Sequence, residues 1–288
     1  MTGGADLQKI NALPDSVAEI MRLHGFDISS FEEGFLIKTL GKRRESAGSK
    51  TPEAYLELLS KNREEAGAFF SDLHVVYSEF FRNGVTFALL ESRILPALSA
   101  LVEKEVRRGL RIWCAGCAAG QEAWSVAMLL EDIAESRGRA VPSMIFGTDI
   151  SDPDLDLARA GMYSPAAVRN VKKHLLEKYF TRQGEFFRVA DSVRGNVHFS
   201  RLDLLDRALT CPEISVYGDF DLILCNNVLI YYNGGARRFI LGKLLSCLSP
   251  RGYLVTGEAE RSIIDRFGGF REFSAPAAIF SLESNGGN

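Results

Sequence analysis

An α/β chain, built on an open and mostly parallel sheet and preceded by a helical segment, is the fold class this sequence predicts. Three observations carry it. Short apolar runs alternate with stretches of helical spacing across the later part of the chain, as in a parallel sheet covered by its crossover helices. One run, Leu110 to Cys114, empties into a loop bearing Gly116 and Gly120 and then into an apolar-periodic helix. The first seventy or so residues carry helix signals throughout.

In chain order, Ser30 and Glu33 form a capping-box pattern around Phe31 and ahead of Phe35, Leu36 and Leu40. Thr51-Pro52 opens a helix carrying Tyr55, Leu56 and Leu59, and Asn62 with Glu65 opens another that buries Phe69, Phe70 and Leu73. The stretch from Gly41 to Lys50, rich in Lys, Arg, Ser and Gly, is expected to be a connecting loop. Lys38, Lys42, Arg43 and Arg44 make the helix end before it basic in a chain of net charge −3. Complementarity to the helix macrodipole, ~0.3–1 kcal/mol per charge, is one account of that cluster, and attraction to an acidic partner is the other.

An amphipathic helix from Leu89 to Val102 leads into strands expected at Leu110 to Cys114, Met144 to Thr148, Val197 to Ser200, Phe220 to Leu224 and Tyr253 to Thr256. Helices are expected at about Glu122 to Ala134, Pro153 to Ala160 and Ala236 to Leu248, and Phe270 to Phe273 with Ala278 to Ser281 as an antiparallel edge. Between Met162 and Val197 the alternation is interrupted by a helix around Val168 to Tyr179 and by a hairpin pairing Phe186 to Val189 with Val193-Arg194. The expected organisation is a helical domain over residues 1–75 and an α/β domain over 76–288, with a β insertion at about 162–197.

A chain of 288 residues that is 46% hydrophobic has room for a core, and its charge offers little bulk attraction to nucleic acid. No early run approaches the roughly 18 apolar residues of a membrane span. Met1 to Asn11 lacks a signal-peptide core, so a cytoplasmic protein without membrane insertion is expected, and separately a monomer. Cys114-x-x-Cys117 has redox and zinc spacing, but Cys211, Cys225 and Cys247 stand singly and the four histidines do not cluster. The two cysteines are therefore expected to pack a strand and its loop, with no metal.

Gly116 and Gly120 allow tight turns and close backbone approach to a ligand, and the following helix offers unpaired N–H groups that favour an anionic group. Neither the phosphate loop GxxxxGK[ST] nor GxGxxG is present, and Glu122 at the helix start would repel a pyrophosphate. A ligand with both a carboxylate and an ammonium, such as the methionine end of S-adenosylmethionine, tolerates that acid. Asp149, at the end of the Met144 run, suits ribose hydroxyls on the neighbouring strand. The competing account is that Asp149-Ile-Ser151 only caps the helix that follows.

The break Cys225-Asn226-Asn227-Val228 in the next strand pattern makes a resemblance specific. With Glu79-Phe-Phe-Arg82, Trp113 to Ser125, Thr148-Asp-Ile-Ser151, Ala160-Gly-Met-Tyr163, Leu202-Asp-Leu-Leu205 and Gly252 to Gly257, the chain resembles the chemotaxis receptor methyltransferase (CheR-type) family from about Phe31 to Phe280. The resemblance implies a Rossmann-like S-adenosylmethionine-dependent methyltransferase with a small antiparallel β insertion and an all-α N-terminal domain. It implies methylation of chemoreceptor glutamates and release of S-adenosylhomocysteine.

On the same ground, Arg82 is expected to position the incoming substrate and Tyr231 to lie near the transfer site, while Arg82, the Ser78 hydroxyl, Asp203, Leu204, Asn226 and Asn227 are expected to join Gly116, Gly120, Glu122 and Asp149 in the cofactor site. The basic helix end is expected to meet receptor cytoplasmic helices. Thr181-Arg-Gln-Gly184 lacks the longer loop that accompanies a receptor tether, so a tether-independent enzyme is expected.

Departures from the family pattern are Asn226 for an arginine, Asp203 for an asparagine, Gly257-Glu-Ala-Glu260 for Gly-His-Ser-Glu, and Val76 for a polar contact. A neutral amide cannot make an arginine's forked, charged contacts, and Asp203 keeps an acceptor while losing the amide's donors. They motivate two alternatives: a catalytically weak signalling module that binds S-adenosylmethionine or S-adenosylhomocysteine, and a methyltransferase with another acceptor.

Overall fold

The structure is a computed structural model that describes residues 15–74, 77–104, 109–215, 218–274 and 277–283. The chain divides into two compact units, Met1–Val75 with Ile230–Arg238, and Val76–Leu229 with Phe239–Asn288. Val76 and the first fourteen residues, on which two of the sequence readings rest, lie outside the described residues.

The first unit is helical: α1 (residues 15–23), α2 (Glu33–Ser46), α3 (Pro52–Lys61) and α4 (Arg63–Asp72). Its core is Met21, Ile28, Tyr55, Leu59, Phe69 and Leu73. Thr51 caps α3 by accepting the Ala54 N–H, and Asn62 caps α4 by accepting from Glu64 and Glu65. Helix α2 departs from expectation at both ends. Its N-cap is Glu32, which accepts the Phe35 N–H at 2.8 Å, so the Ser30 box is not used.

The helix also runs through Gly41 to Ser46, where a loop was expected. Tertiary contact overrides the local composition. Arg43 makes a forked pair with Glu65 of α4 (3.1 and 2.7 Å), and Asp72 lies 3.6 Å from the same guanidinium. Tyr55 adds a 2.7 Å hydrogen bond to Glu65. Gly41 weakens a helix by ~1 kcal/mol, less than this half-buried charged network is worth.

The second unit holds a seven-stranded sheet of order β6-β2-β1-β7-β8-β10-β9. These are β1 (Leu110–Ala115), β2 (Ser143–Asp149), β6 (Val197–Arg201), β7 (Phe220–Cys225), β8 (Leu248–Thr256), β9 (Phe270–Ser274) and β10 (Ala277–Leu282). The first five are mutually parallel, while β10 runs antiparallel to β8 and to β9. From central β1 the chain winds outward to β2 and β6, then returns to β7 on the other side. The carboxyl end of β1 is therefore a topological switch point, where open α/β sheets bind their ligands.

A three-stranded sheet of order β3-β5-β4 forms the insertion. Here β5 (Phe186–Val189) pairs with β4 (Phe180–Gln183) and with β3 (Met162–Tyr163), not with residues 193–194, which leave a 3₁₀ turn at Asp191–Val193. Gly184, at φ +61°, closes a turn tight enough to bring Phe186 back onto Gln183. The helix expected from Val168 is shorter, α9 (Lys173–Tyr179).

The helix leading into β1 is longer than expected, α5 (Gly84–Leu89) and α6 (Leu95–Lys104) joined by a π turn at Leu90–Ile94. Gly84–Lys104 is long and apolar enough to cross a membrane. Its apolar side is occupied, with Phe87, Leu90, Ile94, Leu95, Leu98 and Val102 buried in the core of this unit.

Glu65→Ala is expected to destabilise the helical unit by about 1.5–3 kcal/mol in urea denaturation. Burial alone would push the Glu65 carboxyl up, but the hydrogen bonds from Arg43 and Tyr55 win and hold it low. A lowered pKa contributes stability present above the ordinary carboxylate range and lost as pH falls through the folded value. The gap between variant and native protein should therefore be full at pH 7 and shrink on acidification.

Candidate active site

The loop after β1 is held by its neighbour. Thr148 O accepts the N–H groups of Gly116 (2.8 Å) and Cys117 (2.9 Å), and Asp149 Oδ2 accepts the Ala118 N–H at 2.8 Å. Asp149 Oδ1 also accepts the Ser151 N–H (3.0 Å), so this carboxylate both closes the loop and turns the chain into α8 (Asp152–Ala160). Tyr163 Oη donates to Ala119 O at 2.6 Å.

Gly116 and Gly120 are left-handed, at φ +74° and +86°. A Cβ on Gly116 would lie 2.6 Å from Val228 Cγ2, and one on Gly120 2.7 Å from the Ala158 methyl. The loop is thus pressed between β7's exit and α8. Cys114 and Cys117 are buried free thiols, and burial pushes both thiol pKa values up.

Helix α7 (Gln121–Arg137) starts directly from Gly120. Gln121 Oε1 is buried with no hydrogen-bond partner. Next to it, Glu122 Oε2 accepts from Asn226 Nδ2 at 2.5 Å. Burial pushes the Glu122 carboxyl up to about 7; Asn226 and the Arg82 charge pull it down, and Glu260 adds to the rise. This carboxyl is poised between its two forms at neutral pH.

Arg82 is displayed on a strained turn. Phe81 and Asn83 on either side are both left-handed, φ +52° and +64°, a conformation that costs a phenylalanine ~1–3 kcal/mol. The turn is anchored by Phe80, fully buried edge-on against Tyr163 and Phe180, and by the Phe81 N–H, which donates to Ser125 Oγ of α7 at 3.1 Å. The Arg82 guanidinium sits 5.0 Å over the Tyr77 ring and donates to Tyr77 O at 3.2 Å. Arg82, Asn83, Asn226, Asn227 and Glu258 line a cleft of about 440 Å³.

The far wall depends on Glu260, which the sequence reading had placed only within a divergent motif. Its side chain has no exposed surface. Oε2 accepts the N–H groups of Asn227 (2.9 Å) and Gly257 (2.7 Å), and Oε1 that of Leu229 (2.6 Å). The signal available was position: a carboxylate four residues past the end of one strand pattern, in a chain whose preceding strand pattern breaks at two amides.

The structure thus brings Arg82, Glu122, Asn226 and Asn227 together beside the Gly116–Gly120 loop, with Asp149 at its side. Ser78 is half-buried upstream of Arg82. Asp203 uses Oδ1 to accept the Leu205 N–H (2.8 Å), closing its own turn after β6, and Leu204 is buried. Tyr231 falls in the helical unit, its ring 4.8 Å from that of Phe35 and its carbonyl accepting the Glu32 N–H.

Sheet order, a glycine loop at the switch point and an acid on the adjacent strand are those of a Rossmann-like methyltransferase domain, and dependence on S-adenosylmethionine follows from the family whose model the chain matches. Residues 77–275 match the family model described as CheR methyltransferase, SAM binding domain, and the chain belongs to that family. It is 28% identical over 258 residues to a chemotaxis protein methyltransferase of Borreliella burgdorferi, covering 87% of this chain and 89% of that one. It is 32% identical over 209 residues to chemotaxis protein methyltransferase 1 of Vibrio cholerae, covering 71% of each. A third relative, an uncharacterized 104.1 kDa protein of Rhodobacter capsulatus, is 29% identical over 245 residues; these span 85% of this chain but only 25% of that protein.

Glu260→Gln should destabilise the second unit by about 1–3 kcal/mol in thermal or urea unfolding, because an amide nitrogen would face backbone donors. Gly116→Ala should cost at least as much, since left-handed backbone and a methyl at 2.6 Å from Val228 add together. Near-native stability in either variant would show that the strand ends are held by something else.

Proposed function

We propose that this protein transfers a methyl group from S-adenosylmethionine to glutamate side chains on the cytoplasmic helices of a chemoreceptor, forming glutamyl methyl esters. The observation that carries the reading is the Glu122–Asn226 pair at the start of the helix that follows the glycine loop, with Asn226 and Arg82 lining one cleft beyond it. The residues fit the cofactor. A buried acceptor without a partner on Gln121 and a half-buried carboxyl on Glu122 suit donor groups such as an ammonium, and the loop leaves no room for a Cβ at Gly116.

When bound, S-adenosylmethionine supplies a methyl group made electrophilic by its sulfonium. The chain's own residues then have a positioning task. Glu122 would hold the ammonium, Asp149 would use its remaining lone pairs for the ribose hydroxyls, and Asp203 with Leu204 would border the base, while Asn226 and Asn227 line the cleft beside Arg82. A glutamate side chain, of pKa roughly 4.3, is already ionised near neutral pH, so no general base is required. Arg82 orients that carboxylate. In-line approach to about 3–3.5 Å and exclusion of water supply the acceleration.

Lys38, Lys42 and Arg44 on α2 are the charges assigned to the receptor's acidic helices. Arg43 is engaged with Glu65 and Asp72 and is left out of that role. The reading takes the protein to act as a cytoplasmic monomer, without membrane insertion. A second reading, an S-adenosylhomocysteine-sensing module, draws on Asn226, which stands in an arginine's place and is committed to Glu122.

The deciding experiment combines calorimetric binding of S-adenosylhomocysteine with base-labile incorporation of labelled methyl into a receptor cytoplasmic fragment. Asp149→Ala is expected to weaken binding at least tenfold, while Arg82→Ala should lose turnover by a larger factor than affinity. Binding without ester formation on any receptor fragment would favour the sensing module, and absent binding by the folded protein would sink both readings.

Affinity should also follow pH. A carboxyl raised to about 7 stabilises the unliganded fold below its ordinary range, and that contribution is lost as pH rises through 7. A ligand ammonium requires the ionised form, so affinity should rise about tenfold from pH 6 to pH 8 and be flat in Glu122→Gln. A flat profile in the unsubstituted protein would remove Glu122 from the ammonium site.

A further inference from the structure

Glu258 stands on the rim of the Arg82 cleft and has no part in the function proposed above. It is exposed, yet it is not a free surface carboxylate. Asn83 Nδ2 donates to Glu258 Oε1 at 3.0 Å, and Asn83 Oδ1 accepts the Thr86 N–H at 3.3 Å at the start of α5. Asn83 is itself fixed in left-handed backbone next to Arg82. One side chain therefore ties the rim anion to the turn that displays the cleft's cation.

The charge inventory of the cleft is then unusual for a site receiving a carboxylate. Among the described residues that line it, Arg82 is the one cation, Glu258 is the one anion, and Asn83, Asn226 and Asn227 are neutral amides. The Asn226 amide donates inward to Glu122. An acceptor segment dense in carboxylates would find one partner in Arg82 and a like charge at Glu258. A segment that accompanies its acceptor glutamate with a cation or an amide donor satisfies both.

We propose that Glu258 is a specificity-determining residue: it selects acceptor glutamates with a lysine, arginine or glutamine side chain within one helical turn and disfavours those flanked by further carboxylates. The proposal rests on the glutamate-methylating reading above. Because Glu258 is solvated, its effect on rate is modest and screened by salt, and it acts by repelling wrong partners as much as by attracting right ones.

The test uses the full chain and soluble receptor cytoplasmic fragments with a single acceptor glutamate. The positions three and four residues away on either side are made all lysine, all glutamine or all glutamate. Rates of base-labile methyl incorporation at low salt and subsaturating fragment give kcat/KM. The expected order is lysine over glutamine over glutamate, spanning about fivefold. Glu258→Gln should compress the span to within about twofold, and Glu258→Lys should reverse it, both with unchanged affinity for S-adenosylhomocysteine.

The same order and span in all three proteins would place the preference elsewhere and overturn the proposal, as would no preference in the unsubstituted chain. No ester on any fragment, with S-adenosylhomocysteine still bound, would overturn the glutamate reading and the proposal with it. Ester formation without discrimination overturns the proposal alone.

Discussion

A single carboxylate with no exposed surface, Glu260, sets the geometry on which the site depends. Two neighbouring parallel strands, β7 and β8, must both end at one level, and each leaves backbone N–H groups that no further strand residue satisfies. Glu260 takes three of them, from Asn227, Leu229 and Gly257. Burying a carboxylate costs several kcal/mol unless it is well paired, and these three backbone hydrogen bonds contribute to offsetting that cost. In return the chain can turn sharply at Asn227, at φ +59°, and send Asn226 back toward Glu122.

From that corner the rest of the cleft follows by contact. Val228, just past the turn, presses on Gly116, which ties the β7 exit to the β1 loop. The loop is held from its other side by Thr148 and Asp149 of β2, so neighbouring strand ends grip it. Helix α7 then starts where Gly120 requires, and its Ser125 fixes the strained turn that carries Arg82. The strain at Phe81 is sustained because Phe80, one residue earlier, is fully buried among aromatic rings. Burial of apolar surface in one residue thus supports an unfavourable backbone in the next, and the half-buried arginine benefits.

The opposing pulls on Glu122 show what the same arrangement would offer the ammonium proposed for it. Burial raises its pKa, Asn226 and Arg82 lower it, and the outcome near 7 leaves a group that changes charge under mild conditions. An isolated carboxyl at a helix start would stay ionised and solvated. Here it is available to a cationic partner that completes its surroundings.

What the sequence by itself determined was whatever depends on periodicity and short-range chemistry. The central strands, the glycine loop, the acid at the end of β2 and the caps at Thr51 and Asn62 were legible because each is set by residues a few positions apart. The paired stretches at residues 270–273 and 278–281 were legible for the same reason. What only the tertiary structure decided were partners distant in the chain. Gly41 to Ser46 has loop composition and is helix because Glu65 and Asp72 lie across from Arg43. Phe186 to Val189 found strands before it rather than after it, since a turn at Gly184 made the earlier register closer. The roles of Glu260 and Glu258 were hidden because each is defined by groups more than thirty or more than a hundred residues away. Local pattern fixes which way a segment can fold, while desolvated charge is settled only by the groups that reach it in space.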